Sequence, residues 1–365
     1  MTGSRSILDD PLVATLALLG VGYDEATAYP ADSVAALAQA GLLRRFAPVA
    51  SGGERFADAT ARHDAMFDAL RRVGRGDLSV GRLFEGHVNA LALFDWYATP
   101  EQQAWLGAAL DANAMFGVWA TEPPPGVALV SDGADRHLRG AKGFASGAGG
   151  ITHAVVTARP ADGPRVMIVV AADDAHRTDA SAWRVRGMRA SVSGRYDLTG
   201  HRVDDGAILG APGDYDREPR FTGGAWRFTA VQLGGMEALL AETRATLSDA
   251  ARADPLARAA FGQAIVATRT AWLWVREAAR RNAREDADAA TFARMTRGVV
   301  ERAALDVMEH AARLVGTRSA FAGQRVDKII RDLSLYLRQA GPDHVRDTAV
   351  RSWLDRDRWG EDEWW

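Results

Sequence analysis

The sequence predicts an α+β protein with three regions in chain order. A helical domain is expected over residues 1–115, an antiparallel, barrel-like β domain over 116–215, and a four-helix bundle within 216–365. Two changes of hydrophobic period carry this reading. Apolar residues recur at i, i+3, i+4 and i+7 up to about Met115 and give way to β-branched, partly alternating runs up to about Tyr215. The helical period returns from about Thr222. A chain of 365 residues also exceeds what one compact core usually holds.

In the first region, the apolar run after Met1 is short and follows Asp9 and Asp10, which predicts a helix rather than a secretion signal. "ADSVAALAQAGLLRRF" follows, with Asp32 and Ser33 as candidate caps. "DATARHDAMFDALRRVGRG" repeats the helical period and stops at glycine. "SVGRLFEGHVNALALFDWYATPEQQAWLGAAL" reads as two helices broken at Thr99–Pro100, because proline suits a first helical turn.

"ITHAVVTARP", "RVMIVVAADD" and "WRVRGMRASVSGRYDLTGHRV" carry the β pattern, separated by turn signals such as Asp162-Gly163-Pro164. Four helices are expected after Thr222, in "TAVQLGGMEALLAETRATLSDAARA", "FGQAIVATRTAWLWVREAARRNARE", "FARMTRGVVERAALDVMEHAARLVG" and "RVDKIIRDLSLYLRQAG", the last stopped by Gly341-Pro342. The tail "SWLDRDRWGEDEWW" mixes charge and aromatics, which suits either a partner subunit or disorder.

Composition narrows the function. The formal net charge of -3 argues against nucleic acid or an anionic membrane as the main partner. No cysteine is present, so disulfides, thiolate nucleophiles and zinc-thiolate sites are excluded. No stretch approaches the roughly 20 apolar residues of a membrane span, and a cytoplasmic protein is expected. The eight histidines form no ligand-spaced pair, so no metal is expected. His87 and His310, on predicted helices, read as hydrogen-bonded, partly buried imidazoles. "GAGGIT" from Gly147 lacks the last glycine of a dinucleotide fingerprint and precedes a strand where a helix is required.

Six stretches in order resemble the acyl-CoA dehydrogenase family over roughly residues 30–345. They are "FEGHVNALALFDWYATPEQQ", "TEPPPG" (121–126), "LRGAKGFASGAG" (138–149), "GMRASVSGRYDLTGHRV" (187–203), "RAAFGQAI" (258–265) and "RLVGTRSAFAGQRVDKIIRDLSLY" (313–336). The resemblance implies an FAD-dependent oxidoreductase, assembled as a homodimer or homotetramer. It also implies a small-molecule substrate, acyl-CoA among the candidates, and an electron-transfer or reductase partner. It places Thr121 at the pyrimidine edge of the flavin. Phe144 and Ser146 stand where the family has Trp-x-Thr beside the reactive ring nitrogen. Arg258 and Phe261 match residues that reach the nucleotide part of the flavin in a neighbouring subunit. Gly316 and Thr317 match a glycine pair beside the pyrophosphate, with Thr317 a departure, and Arg269 replaces a usual glutamine. A guanidinium suits phosphate because its donors match the oxygens bidentately.

One family feature is missing. Removal of a proton alpha to a thioester needs a carboxylate within hydrogen-bond reach. The two positions where the family places that glutamate fall on Ala340 and Gly224. Three explanations compete. A nearby acid such as Glu237 or Asp343 acts instead, with an exposed helix acid as the bland reading of Glu237. Alternatively the reaction needs no base, as in a flavin-dependent monooxygenase on the same fold, or the protein is a non-catalytic member. In "RDLSLYLRQAGPD", Tyr336 and Gln339 are expected to share a helix face suited to a polar substrate or to a subunit interface.

Overall fold

The structure is a computed structural model that describes residues 10–133, 135–339 and 341–354. The helices are α1 (Pro11–Ala26), α2 (Ala31–Gln39), α3 (Leu42–Arg45), α4 (Ala59–Gly76), α5 (Leu78–Tyr97) and α6 (Pro100–Asp111). After the β region come α7 (Arg220–Gly223), α8 (Trp226–Thr246), α9 (Asp249–Ala253), α10 (Pro255–Arg284), α11 (Ala289–Val315), α12 (Arg325–Tyr336) and α13 (Pro342–Leu354). The strands are β1 (Phe116–Trp119), β2 (Ala128–Asp132), β3 (Asp135–Arg139), β4 (Ala141–Ala145), β5 (His153–Ala158), β6 (Val166–Ala171), β7 (Thr178–Asp179), β8 (Gly194–Asp197) and β9 (Ile208–Leu209). This is the predicted order: helices, small sheets, helices. No helix among the described residues is long and apolar enough to cross a membrane.

The chain divides into two compact units, Met1–Ala57 with Ser79–Arg217, and Asp58–Leu78 with Glu218–Trp365. In the first, α1 begins at Pro11, with the Asp10 carboxylate accepting from the Leu12 N–H. Asp32 and Ser33 are not the caps of α2. The helix starts at Ala31, Asp32 lies in its first turn and accepts from the Tyr23 hydroxyl, and Ser33 is buried. The break at Thr99 is a reciprocal capping box with Gln102, whose amide also donates to the carbonyls of Gly206 and Ile208. His87 on α5 is fully buried. Phe116 N–H donates to its Nδ1 at 3.0 Å, and its Nε2 lies 2.6 Å from the Leu43 carbonyl. The ring is therefore the neutral Nε2–H tautomer, tying α5 to β1 and to α3.

The β region forms three small sheets among the described residues, ordered β1-β5-β6-β9, β2-β3 and β4-β8-β7. The pairings are antiparallel except that of β1 with β5, which runs parallel from Phe116↔His153 to Trp119↔Val156. The stretch from Trp183 to His201 is strand only over Gly194–Asp197. Before it the chain turns through Met188 and Val192, both left-handed, which breaks the alternation seen in the sequence.

In the second unit, α8, α10, α11 and α12 are the four expected helices, joined by α4 and by a further helix, α13, in a segment to which the sequence pattern assigned no element before the tail at Ser352. Residues 355–365 lie outside the described residues. Backbone contact fixes the crossing of α4 and α8. A Cβ on Gly74 would stand 2.3 Å from the Val231 carbonyl oxygen, and one on Gly234 2.1 Å from that of Arg71. The approach brings Arg71 onto Glu237 at 2.8 Å. At the end of α4, the buried ammonium of Lys328 lies 2.7 Å from both Asp77 and Asp332. His310, half-buried on α11, departs from expectation: its Nδ1 has no hydrogen-bond partner among the described residues.

Two predictions follow from this packing. Gly234→Ala is expected to lower the unfolding free energy by about 2–3 kcal/mol in urea titration, since overpacked backbone must move. Gly262→Ala, where no atom meets an added Cβ, is expected to raise it by about 0.5–1 kcal/mol. Equal effects would show that the α4–α8 contact is not tight. For His87, burial lowers the pKa to about 4 from the ordinary 6.5. The unfolded chain then binds the extra proton between these values, so its stabilisation is whole above pH 6.5 and is lost as pH falls toward 4. The loss is of order 3 kcal/mol, and His87→Gln should remove that part of the pH dependence. Parallel stability curves for the two proteins would assign it elsewhere.

Candidate functional site

The predicted ring-binding residues come together around β4. The turn Thr121–Gly126 leaves β1 and runs back along β4, where the Gly143 N–H donates to the Thr121 carbonyl at 3.0 Å. Glu122 reaches the Lys142 ammonium at 2.5 Å, and Lys142 also donates to the Thr157 hydroxyl at 3.0 Å. Lys142 is 0% exposed, and burial lowers its pKa against the opposing pull of Glu122. Two glycines close the turn. Gly126 has φ +93 with its missing Cβ facing the Glu122 carboxylate, and Gly140 has φ +118 with its missing Cβ 2.3 Å from the Gly126 carbonyl. The Thr121 side chain is left exposed.

The register of β4 against β8 shifts between Lys142 and Ala145, so β4 carries one extra residue there. The bulge holds Phe144 at φ +51, strained for a non-glycine residue. Its ring is 68% exposed and meets the Trp183 ring edge-on at 6.4 Å. Two residues on, Ser146 is buried. Its hydroxyl lies 2.9 Å from that of Ser193, which lies 2.9 Å from that of Ser191, and Ser191 donates to the Met188 carbonyl at 2.8 Å. Trp119 Nε1–H donates to the Ser146 carbonyl at 3.1 Å. Ser146 thus bonds another side chain.

Ser146 also lines a small recess with Arg82, Leu83, Gly86, Gly117 and Trp119. Under it, Arg82 and Asn89 both donate to Glu85, which is 3% exposed. These α5 residues were missed from the sequence. Their Arg-x-x-Glu-x-x-x-Asn spacing, which stacks the three on one helix face, was the available signal. A larger half-open cavity of about 410 Å³ lies elsewhere in this unit, walled by Phe94, Trp105, His153 and Val169. None of the predicted residues lines it.

The remaining predicted residues lie in the second unit. Arg258 is exposed, and its guanidinium donates to the carbonyls of Arg252 and Ala253 at the end of α9. Phe261 is half-buried on α10, and the Arg269 guanidinium lies 4.2 Å over the Trp272 ring. Gly316 takes φ +71 where α11 ends, with open space for a Cβ, and Thr317 follows it, exposed.

Of the two glutamate positions, Ala340 lies outside the described residues. Gly224 precedes α8, and a Cβ there would stand 2.6 Å from Arg227 Nη1. A buried guanidinium thus occupies the space a side chain would enter. Glu237 is not an exposed acid; it is half-buried and paired with Arg71 and, at 3.6 Å, Arg75. Asp343 is exposed and bonded to Arg346. α12 ends at Tyr336, which is buried, and Gln339 lies past the helix with its carbonyl bonded to Arg297. The expected Tyr336–Gln339 helix face is therefore not formed. No group of three or more acidic or histidine side chains that could hold a metal occurs among the described residues.

Residues 218–354 match the family model of the acyl-CoA dehydrogenase C-terminal domain. The match covers this C-terminal region alone, and the whole chain has an acyl-CoA dehydrogenase-like fold. The fold is similar to that of TdsC from Paenibacillus sp. A11-2, solved in complex with FMN and indole. That match has 21% identity over 94% of this chain and 95% of that chain, with a TM-score of 0.83. It is also similar to the methanesulfinate monooxygenase MsuC from Pseudomonas fluorescens, at 23% identity, 94% of each chain and a TM-score of 0.81. A nitrososynthase from Micromonospora carbonacea var. africana matches at 20% identity, 95% of this chain and 94% of that one, with a TM-score of 0.78. No curated protein matches the chain. Thr121 lies against β4, Phe144 is on it and Ser146 follows its end.

The Glu122–Lys142 pair can be tested alone. Glu122→Gln leaves a buried ammonium without its counter-charge and is expected to cost about 3 kcal/mol of unfolding free energy. Glu122→Gln with Lys142→Met should recover most of that loss. If the single change is neutral by denaturant titration, the pair does not hold the turn.

Proposed function

We propose that this protein is a flavin-dependent monooxygenase that receives reduced flavin from a separate reductase and acts on a small molecule. The observation that carries the reading is at Gly224. One of the family's two alternative carboxylate positions is a glycine that faces the Arg227 guanidinium, and the other is an alanine. The nearby acids do not replace it, since Glu237 and Asp343 are each bonded to arginine. None of these four positions therefore offers a free base for alpha-proton removal from an acyl thioester. Similarity of fold to TdsC, a dibenzothiophene monooxygenase, and MsuC, a methanesulfinate monooxygenase, supports the same direction.

The residues around β4 fit a flavin. An exposed aromatic ring held in a strained conformation beside Trp183 offers a flat apolar wall. The exposed Thr121 hydroxyl and the turn backbone offer polar contacts to a ring edge, and Ser146 offers a hydroxyl. When bound, the reduced flavin supplies the electrons that activate dioxygen. The protein's part is to hold the ring against Phe144, orient it through Thr121 and Ser146, and exclude water with the Trp119 and Trp183 rings.

We assign the phosphate end to a neighbouring subunit, to Arg258, Phe261 and Arg269 on its α10 and Gly316 and Thr317 at the end of its α11. FMN, the form in the TdsC complex, is the favoured form, and its phosphate is the group these residues would meet. Leu256, Ile265, Val266 and Leu273 are exposed on α10, which suits a homodimer or homotetramer built through that helix.

Anaerobic titration tests the reading. Purified protein should bind chemically reduced FMN and, on admission of oxygen, consume it. Straight-chain acyl-CoAs should neither bleach bound flavin nor exchange their alpha protons in deuterated water. Bleaching by an acyl-CoA would overturn the monooxygenase assignment in favour of a dehydrogenase with an unrecognised base. Arg258→Ala is expected to weaken flavin retention by about tenfold, the scale of a lost charge-assisted contact. Unchanged flavin content after gel filtration would remove Arg258 from the site.

A further inference from the structure

Three hydroxyls in series end on a carbonyl, and that end fixes the direction of every bond. The Met188 carbonyl can only accept, so Ser191 spends its single proton there. Ser191 Oγ must then accept from Ser193 at 2.9 Å, and Ser193, its proton used, must accept from Ser146 at 2.9 Å. All three side chains are buried, at 9% exposure or less, so water does not compete for these protons. Ser146 is left with lone pairs alone to offer the recess that it lines.

We propose that Ser191 and Ser193 are positioning residues that make Ser146 a pure hydrogen-bond acceptor, and that this selects reduced flavin over oxidised flavin. The inference rests on the flavin reading above. The central ring of a reduced flavin carries an N–H where the oxidised ring carries a bare nitrogen lone pair. An acceptor-only hydroxyl bonds the first and opposes the second. The preference suits a protein that takes up its flavin already reduced. It needs no group beyond the three serines and the Met188 carbonyl.

The test measures dissociation constants of FMN in both redox states, by anaerobic fluorescence titration, for the native protein and its Ser193→Ala and Ser191→Ala variants. The native protein should hold reduced FMN more tightly. Ser193→Ala frees the Ser146 proton to point at the ring. It should cut the preference for the reduced form by about tenfold, the scale of one hydrogen bond gained or lost at a buried site. In a two-electron couple, tenfold is a fall of about 30 mV in the bound midpoint potential. Ser191→Ala, which lets Ser193 turn, should move the ratio the same way by less, and Ser193→Thr should restore it. A merely structural role would weaken both redox forms equally and leave the ratio fixed. A fixed ratio in both alanine variants, with both forms still bound, overturns the relay and leaves the flavin reading standing. Failure of the native protein to bind either form overturns both.

Discussion

A single buried ammonium organises the β4 edge. Lys142 has no exposed surface, and an uncompensated charge there would cost several kcal/mol. Glu122 and Thr157 supply the compensation, and in doing so they draw the Thr121–Gly126 turn onto the strand. The glycines at 126 and 140 are consequences of that closure, because any side chain at either place would meet the Glu122 carboxylate or a backbone oxygen. With Lys142 pinned inward, the extra residue of the bulge that follows leaves Phe144 outward before the chain turns in again at Ser146. An exposed ring and a buried hydroxyl two residues apart are therefore one feature, produced by one ion pair and one bulge.

The second unit has a comparable constraint in its glycines. Gly74 and Gly234 let the backbones of α4 and α8 touch, and a side chain on either would separate the helices. Their closeness brings the guanidinium of Arg71 to Glu237, which turns an acid on the right helix into a packing element. The Lys328 cluster does the same for Asp77 and Asp332: each carboxylate answers an ammonium that burial would otherwise penalise. In this unit Asp77, Glu237 and Asp332 all serve to neutralise cations.

Long helices were legible because a period of 3.6 is repeated many times within each. α8, α10, α11 and α12 and the Thr99 boundary could be read from one strip of sequence. α13 was missed because Gly341-Pro342 stops one helix and, equally well, starts the next. The strands were legible only as a region. Several are two to five residues long, and the left-handed turns at Met188 and Val192 interrupt a run that looks continuous. Thr121, Phe144 and Ser146 were singled out because motif order preserves their spacing. The serines that orient Ser146 were not, since a "SVS" 45 residues downstream carries no local sign of its partner. The pairing of Glu237 with Arg71, across 166 residues, was hidden for the same reason.

Gly224 and Arg227 bear most directly on the reaction. A glycine alone is only an absence, and a carboxylate from elsewhere could fill the gap. Here the gap is filled by charge of the opposite sign, 2.6 Å from where a Cβ would stand. Arg227 is itself buried against Trp226, so a carboxylate entering that space would pair with it. The guanidinium would hold the carboxylate ionised and bound, lowering its basicity. A catalytic base needs the reverse, a pKa near the working pH and a free lone pair. Restoring an acid at position 224 would therefore yield a salt bridge rather than a base. On the monooxygenase reading proposed above, the absence of a base at position 224 therefore involves Arg227 as well as the glycine.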